Sequence, residues 1–151
     1  MRFPINRRAA VFGVLLLAFI GRVVLQLRQR LDPTPALPPF EAFQSGALPY
    51  PALLASQAAI IAVGLFILRG LLTQSWRPNP KLGRVLRILG GVYLAAAAFR
   101  LVAGLTILRH VAFFALPIPS TFHMVLAGMV LVVADFHLSS GQRKRRDGPT
   151  R

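Results

Sequence analysis

The sequence predicts an all-α polytopic membrane protein, a bundle of four transmembrane helices with both termini in the cytoplasm. The 151-residue chain is 55% hydrophobic, which is too apolar for an ordinary soluble domain of this size. It contains four long apolar stretches, each near or above the roughly 20 residues that a helix needs to cross a bilayer. Its net charge is +14, and most of its basic residues lie between or beyond these stretches.

The four apolar stretches predict helices at about residues 9–28, 50–72, 84–108 and 119–139. Barrel strands would alternate polar and apolar residues, whereas residues 14–20 form one continuous apolar run. Helices also satisfy their own backbone groups in lipid. Together the stretches predict one transmembrane domain over residues 1–139, followed by a basic cytoplasmic tail at residues 140–151.

The first predicted helix follows a basic start, as a secretory signal peptide would. No small-x-small cleavage site follows its apolar run, so we expect a retained signal anchor. Helix 1 then leads into a Pro-rich outer loop at residues 31–49, which its prolines make stiff and extended. Phe40, Phe43 and Tyr50 are expected to hold this loop against the membrane interface.

Small residues on the third predicted helix indicate close packing against a neighbour. Arg100 shares a helix face with Tyr93, Ala96, Ala97 and Gly104. Gly91 and Ala95 form a small-xxx-small pair, which in membranes lets two helix backbones approach closely.

The distribution of charge predicts the orientation. Thirteen of the 18 basic residues fall in the two tails and around the second connection, which places that side in the cytoplasm of a bacterial inner membrane. The residues expected to set topology and contact anionic lipids are Arg7, Arg8, Arg84, Arg87, Arg143, Lys144, Arg145 and Arg146. Because no aromatic platform accompanies the 143–146 run, nucleic acid is not expected as a partner.

The composition excludes several kinds of chemistry. The chain has no Cys, so disulfides, thiolate metal sites and cysteine nucleophiles are ruled out. It has no HExxH motif, no phosphate-binding glycine loop and no second intramembrane carboxylate for acid–base catalysis. The sequence therefore gives little support to an enzyme, and it predicts no metal site.

Polar residues within the spans mark a candidate ligand-binding site. Charged groups inside a membrane are costly and need a partner or a role. Helical rise places one polar residue of each helix roughly 6–14 Å below its outer end, with an acid in the loop above. The candidate residues are Arg22, Arg100, His123, Gln57 and Glu41.

Two interpretations of this layer stay open at the sequence level. Two arginines with few acids nearby favour an anionic guest: a lipid head group, a carboxylate or a quinone-like oxygen. Alternatively, Arg22 or Arg100 pairs with Glu41 or with carbonyls of the Pro-rich loop and so pins that loop to the bundle. A further structural alternative is that the side chain of either arginine extends to the outer lipid head groups, as snorkelling side chains do.

Asp135 is the only acid within an apolar stretch, and it lies near the expected cytoplasmic end of the fourth predicted helix, residues 119–139. We expect it to pair with a basic residue such as Arg8 or Arg84, although a proton relay with His137 is an alternative.

The sequence also leaves a haem hypothesis open. His123 and His137 are 14 residues apart, hence about 21 Å apart along the helix, a spacing similar to that of the axial ligands in di-haem cytochrome b helices. Ligation by two histidines would need a second copy or a partner subunit.

Three functions follow from the sequence. The leading one is a non-catalytic accessory or stabilising subunit of a larger membrane complex, with other subunits or further copies of the chain as partners beside the lipid bilayer. The alternative is a binder or transporter of a small anionic or lipid-like molecule at the outer polar cluster. A haem-binding membrane protein is third.

Overall fold

The computed structural model describes residues 7–44 and 48–146, and for Ala112 and residues 140–146 it describes the backbone alone. The described chain is helical, and its α-helices are α1 (Arg7–Leu31), α2 (Tyr50–Thr73), α3 (Pro80–Leu105), α4 (Ala112–Ala115) and α5 (Pro117–Arg146). A short 3-10 turn at Phe40–Phe43 lies in the Pro-rich loop. Helices α1, α2, α3 and α5 are long and apolar enough to span a membrane, which confirms the predicted count.

The long helices contact one another in the order α2, α1, α5, α3, and the α3–α5 contact is the most extensive. Helices α2 and α3 are consecutive in sequence but make almost no contact. The core lies where α1, α2 and α5 meet, around Phe12, Leu16, Leu71, Met129 and Phe136. The bundle is therefore open along the side between α2 and α3.

Helix α3 packs against its neighbours through small residues spaced seven apart. Gly83, Gly90, Ala97 and Gly104 are all buried. A Cβ atom built at Gly90 would lie 2.9 Å from the Leu131 side chain of α5, closer than ordinary packing allows. A seven-residue spacing keeps small residues on one side of a helix, where they allow close approach.

The close-packing pair predicted from the sequence is therefore wrong. A Cβ atom built at Gly91 would have nothing within 4 Å, and Ala95 is exposed. Gly91 follows Gly90 by about 100° around the helix, which turns it away from α5.

The ends of α3 and α5 differ from the predicted bounds. Helix α3 begins at Pro80 because the Asn79 side chain caps it, accepting hydrogen bonds from the backbone N–H of Lys81 and Leu82. It ends at Leu105, three residues before the predicted end, because Thr106 leaves the helical conformation (φ −113°, ψ −91°). Helix α5 runs from Pro117 to Arg146, so its backbone continues beyond the predicted end at residue 139.

The end of the bundle where the first and last described residues lie is called here the terminal end. There Arg8 Nε lies 2.7 Å from Asp135 Oδ2, so α1 supplies the partner that the sequence predicted for this acid. The backbone N–H of Asn79 donates to Nδ1 of His137 at 3.1 Å, which ties the α2–α3 connection to α5.

The remaining topology residues of the terminal end fall into two groups. Arg7, Arg84 and Arg87 are exposed, as residues that contact lipid head groups would be. The side chains of the 143–146 run lie outside the described part of the chain. Their expected role in lipid contact and topology stays a prediction.

Candidate ligand-binding site

The opposite end of the bundle, called here the loop end, carries the Pro-rich loop and α4. The loop is fixed to α1 by the side-chain amide of Gln29, which accepts from the backbone N–H of Thr34 at 3.1 Å and donates to its carbonyl at 3.3 Å. The Phe40 ring meets the Tyr50 ring edge-on at 5.1 Å between centroids. The loop therefore lies against the helices at both of its ends.

Arg22 on α1 holds the middle of the same loop. Its side chain is 7% exposed, and one terminal nitrogen donates to the backbone carbonyl of Phe43. The guanidinium also lies 5.6 Å from the centre of the Phe122 ring on α5, within the range of a cation–π interaction. Of the alternatives left open by the sequence, the structure shows the loop carbonyl rather than the Glu41 carboxylate as the partner of Arg22.

Arg100 on α3 holds the other connection in the same way. Its Nε and one terminal nitrogen donate to the Phe113 carbonyl at 3.2 and 2.7 Å, and its guanidinium carbon lies 3.9 Å from the Phe113 ring centre. Gly104, one turn further along, lets the Phe114 carbonyl approach α3 so closely that a Cβ atom would overlap it. Each of these two arginines thus fixes one connection of the loop end.

A cavity of about 240 Å³ lies beneath the Pro-rich loop, between α1, α2 and α5. Its polar lining residues are Arg22, Gln44, Ser56, Gln57 and His123, and we call it the polar pocket. Gln57 is 3% exposed, and its amide nitrogen donates to Oε1 of Gln26 at 3.1 Å. Neither Nε of Arg22 nor Oε1 of Gln57 has a hydrogen-bond partner within residues 7–44 and 48–146.

A second cavity of about 500 Å³ lies along the open side between α2 and α3, and we call it the apolar groove. Its lining is almost entirely aliphatic, and Tyr93 supplies its one hydroxyl group. The groove and the polar pocket share Ile60 on α2 and Leu126 on α5. The two cavities therefore adjoin.

Three of the five predicted site residues come together, and two do not. Arg22, Gln57 and His123 line the polar pocket. Arg100 is not among its lining residues, and Glu41 is exposed on the 3-10 turn. Sequence reasoning missed the apolar groove, because a chain whose helices are apolar on every side gives no signal for where two of them separate.

The two histidines of the haem hypothesis both face α3. Nδ1 of His123 lies 2.6 Å from the Tyr93 hydroxyl, and Nδ1 of His137 accepts the Asn79 backbone N–H. Within the described ranges, no three His, Asp or Glu side chains lie close enough to hold a metal ion. Haem binding stays a prediction that neither contact supports.

No known protein family, curated protein or solved structure matches this chain. Function is therefore argued from the geometry of the two cavities.

Proposed function

We propose that this chain is an integral protein of the bacterial inner membrane that binds the anionic head of a small or lipid-like molecule in the polar pocket. The observation that carries the proposal is the state of Arg22. Its guanidinium is buried in the wall of a cavity, and its Nε has no partner in the described part of the chain. A buried cation is costly unless an anion or several hydrogen bonds compensate its charge.

The acids in the described part of the chain do not supply that anion. The whole sequence has four Asp and Glu residues. Of the three in the described ranges, Asp135 pairs with Arg8 at the terminal end, and Asp32 and Glu41 are exposed on the loop. A carbonyl oxygen carries only a partial charge, so the Phe43 carbonyl orients Arg22 without neutralising it. An external anion fits this site by charge.

The hydrogen-bonding groups of the pocket suit a carboxylate or a phosphate. Arg22 offers a charged N–H, and arginine binds the oxygens of such anions with strong, directional hydrogen bonds. His123 adds a ring nitrogen when its Nδ1 is engaged by Tyr93. Gln57 adds an amide oxygen that accepts from a protonated head group or a bound water.

The pocket favours this function over the accessory subunit that the sequence ranked first. A stabilising subunit needs packing surfaces, but it does not need an unneutralised buried cation beside a cavity. The accessory role stays a prediction. It would gain support if the chain purified in mild detergent with fixed partners and bound no anionic probe.

The test compares the two arginines, which make matched contacts with loop carbonyls although Arg22 alone lines the pocket. Wild type, Arg22→Gln and Arg100→Gln are placed in phosphatidylcholine nanodiscs and titrated with dodecanoate and with dodecyl phosphate. Dodecanol serves as the uncharged probe. We expect Arg22→Gln to weaken binding of the anions at least tenfold, and Arg100→Gln to change it less than twofold.

Equal losses in the two variants, or binding of dodecanol as tight as that of dodecanoate, would overturn the proposal. Circular dichroism and thermal unfolding establish that each variant is folded. If Arg22→Gln does not fold, Arg22→Lys replaces it, because lysine retains the charge and lacks the guanidinium fork. Arg22→Lys is then expected to bind dodecanoate more weakly than Arg100→Gln does.

A further inference from the structure

The apolar groove begins where the polar pocket ends. Ile60 on α2 and Leu126 on α5 line both cavities. From these residues the groove continues along α2 to Ile67 and along α5 to Val133, away from the loop end. In each stretch the two end residues are seven positions apart, which corresponds to about 10 Å of helix.

The chemistry of the cavities changes at this boundary. The pocket side carries polar side chains that include Arg22, Gln57 and His123, whereas the groove side is apolar apart from the Tyr93 hydroxyl. The Tyr93 hydroxyl is directed to His123 and thus to the pocket side. A charged head and an apolar chain on one molecule would match this division.

The groove is open toward the side that faces lipid. Helices α2 and α3 make almost no contact along it, and Val63 in its wall is 57% exposed. A chain already dissolved in the bilayer reaches this groove by moving sideways, with no passage through water. The described residues offer one groove that adjoins the polar pocket, which suits one chain per head group.

We propose that the ligand of the polar pocket is a single-chain anionic amphiphile, of the fatty-acid type, whose chain lies in the apolar groove between α2 and α3. This inference rests on the proposed function. The head is held at Arg22, and the first eight or so methylene groups, about 10 Å of extended chain, occupy the groove from Ile60 to Ile67. The amphiphile enters laterally from the membrane.

The test fills the groove without touching the pocket. Val63→Trp places a large side chain in the groove wall, and Leu65→Trp is the matched control, since Leu65 is 51% exposed on α2 and lines neither cavity. Both variants and the wild type, in phosphatidylcholine nanodiscs, are titrated with dodecanoate and with hexanoate. Hexanoate is too short to extend along the groove.

We expect the wild type to bind dodecanoate at least tenfold more tightly than hexanoate, with saturation at one molecule per chain. Val63→Trp should lose most of this chain-length preference, while its hexanoate affinity stays within twofold of wild type. Leu65→Trp should retain the preference. The chain inference is wrong if Val63→Trp and Leu65→Trp bind dodecanoate alike, or if the two probes bind the wild type equally.

These outcomes separate the two proposals. If both probes bind and Val63→Trp has no effect, the groove does not hold the chain, but the proposed anion site at Arg22 stands. If neither dodecanoate nor hexanoate binds to the wild type, the proposed function itself is wrong. A further arm adds phosphatidylglycerol to the nanodiscs. If this two-chain lipid displaces dodecanoate at equal concentration, a membrane phospholipid is the occupant, and the single-chain inference is overturned.

Discussion

The hydroxyl of Tyr93 on α3 lies 2.6 Å from Nδ1 of His123 on α5, and their rings meet edge-on with centroids 5.8 Å apart. Tyr93 lines the apolar groove and His123 lines the polar pocket, so this hydrogen bond stands at the boundary between the two cavities. When the hydroxyl donates, Nδ1 accepts and the proton of the imidazole lies on Nε2. The contact thereby fixes the position of the histidine, and in that arrangement it also selects the tautomer.

Removing this hydroxyl is expected to destabilise the bundle modestly. Hydrogen bonds between transmembrane helices contribute about 1 kcal/mol. We expect Tyr93→Phe to lower the free energy of unfolding by about that amount, because it leaves His123 without this partner. Reversible unfolding in mixed micelles of a mild detergent and dodecyl sulfate measures the change.

The control for that experiment is Tyr50→Phe. The Tyr50 hydroxyl is buried, but none of the described residues bonds to it, and the ring that meets Phe40 is retained. We expect its effect to stay below half that of Tyr93→Phe. Equal effects would mean that the bond to His123 contributes no stability of its own.

The Arg8–Asp135 ion pair is expected to contribute little. The two side chains are 33% and 52% exposed, and exposed pairs contribute about 0.2–1 kcal/mol. A double-mutant cycle with Arg8→Gln and Asp135→Asn isolates the pair from the other contacts of Arg8. We expect a coupling energy in this range that decreases as salt is added. A coupling above 2 kcal/mol, or one insensitive to salt, would contradict it.

Two adjacent glycines on α3 provide a test of the helix packing. Gly90 faces α5, with the Leu131 and Val130 side chains close by, whereas Gly91 faces open space. We expect Gly90→Val to lower the free energy of unfolding by about 1–3 kcal/mol through overpacking, and Gly91→Val to change it by less than 0.5 kcal/mol. The same unfolding assay measures both. A larger loss at Gly91 would mean that α3 presents a different face to α5.

The N-in, C-in topology is a separate prediction, made from the charge distribution. Alkaline phosphatase is active only after export, so we expect a fusion after Ala36 to be active and a fusion after Arg151 to be inactive. A green fluorescent reporter at the same two sites gives the complementary readout. Activity of the phosphatase at the C-terminal site would reverse the orientation.

The sequence predicted the helices and the layer of the site because both depend on position along the chain. Apolar length sets the number of spans, and helical rise sets depth, which places Arg22, Gln57 and His123 at similar levels. The same arithmetic places Arg100 at that level too. It does not separate Arg22 from Arg100, since only the packed loops determine which guanidinium lines a cavity.

The apolar groove and the packing face of α3 depend instead on which side of each helix faces its neighbours. Between Ala58 and Leu68, helix α2 is apolar on every side, so its sequence carries no signal for the groove beside Val63. On α3 the sequence predicted Gly91 as the close-packing glycine, and recognising Gly90 instead required the position of Leu131 on α5. The pairing of Asp135 with a basic residue was predictable, because a lone acid in an apolar stretch of a chain rich in basic residues has few other partners.

The contact between α1 and α5 joins two helices that lie far apart in the sequence, Arg7–Leu31 and Pro117–Arg146. Until α5 is synthesised, α1 has α2 beside it, while the buried small residues of α3 lack the helix against which they pack. The core around Phe12 and Met129 therefore cannot be completed before α5 is synthesised. A nascent chain cut short before Pro117 would leave the small residues of α3 without the helix against which they pack.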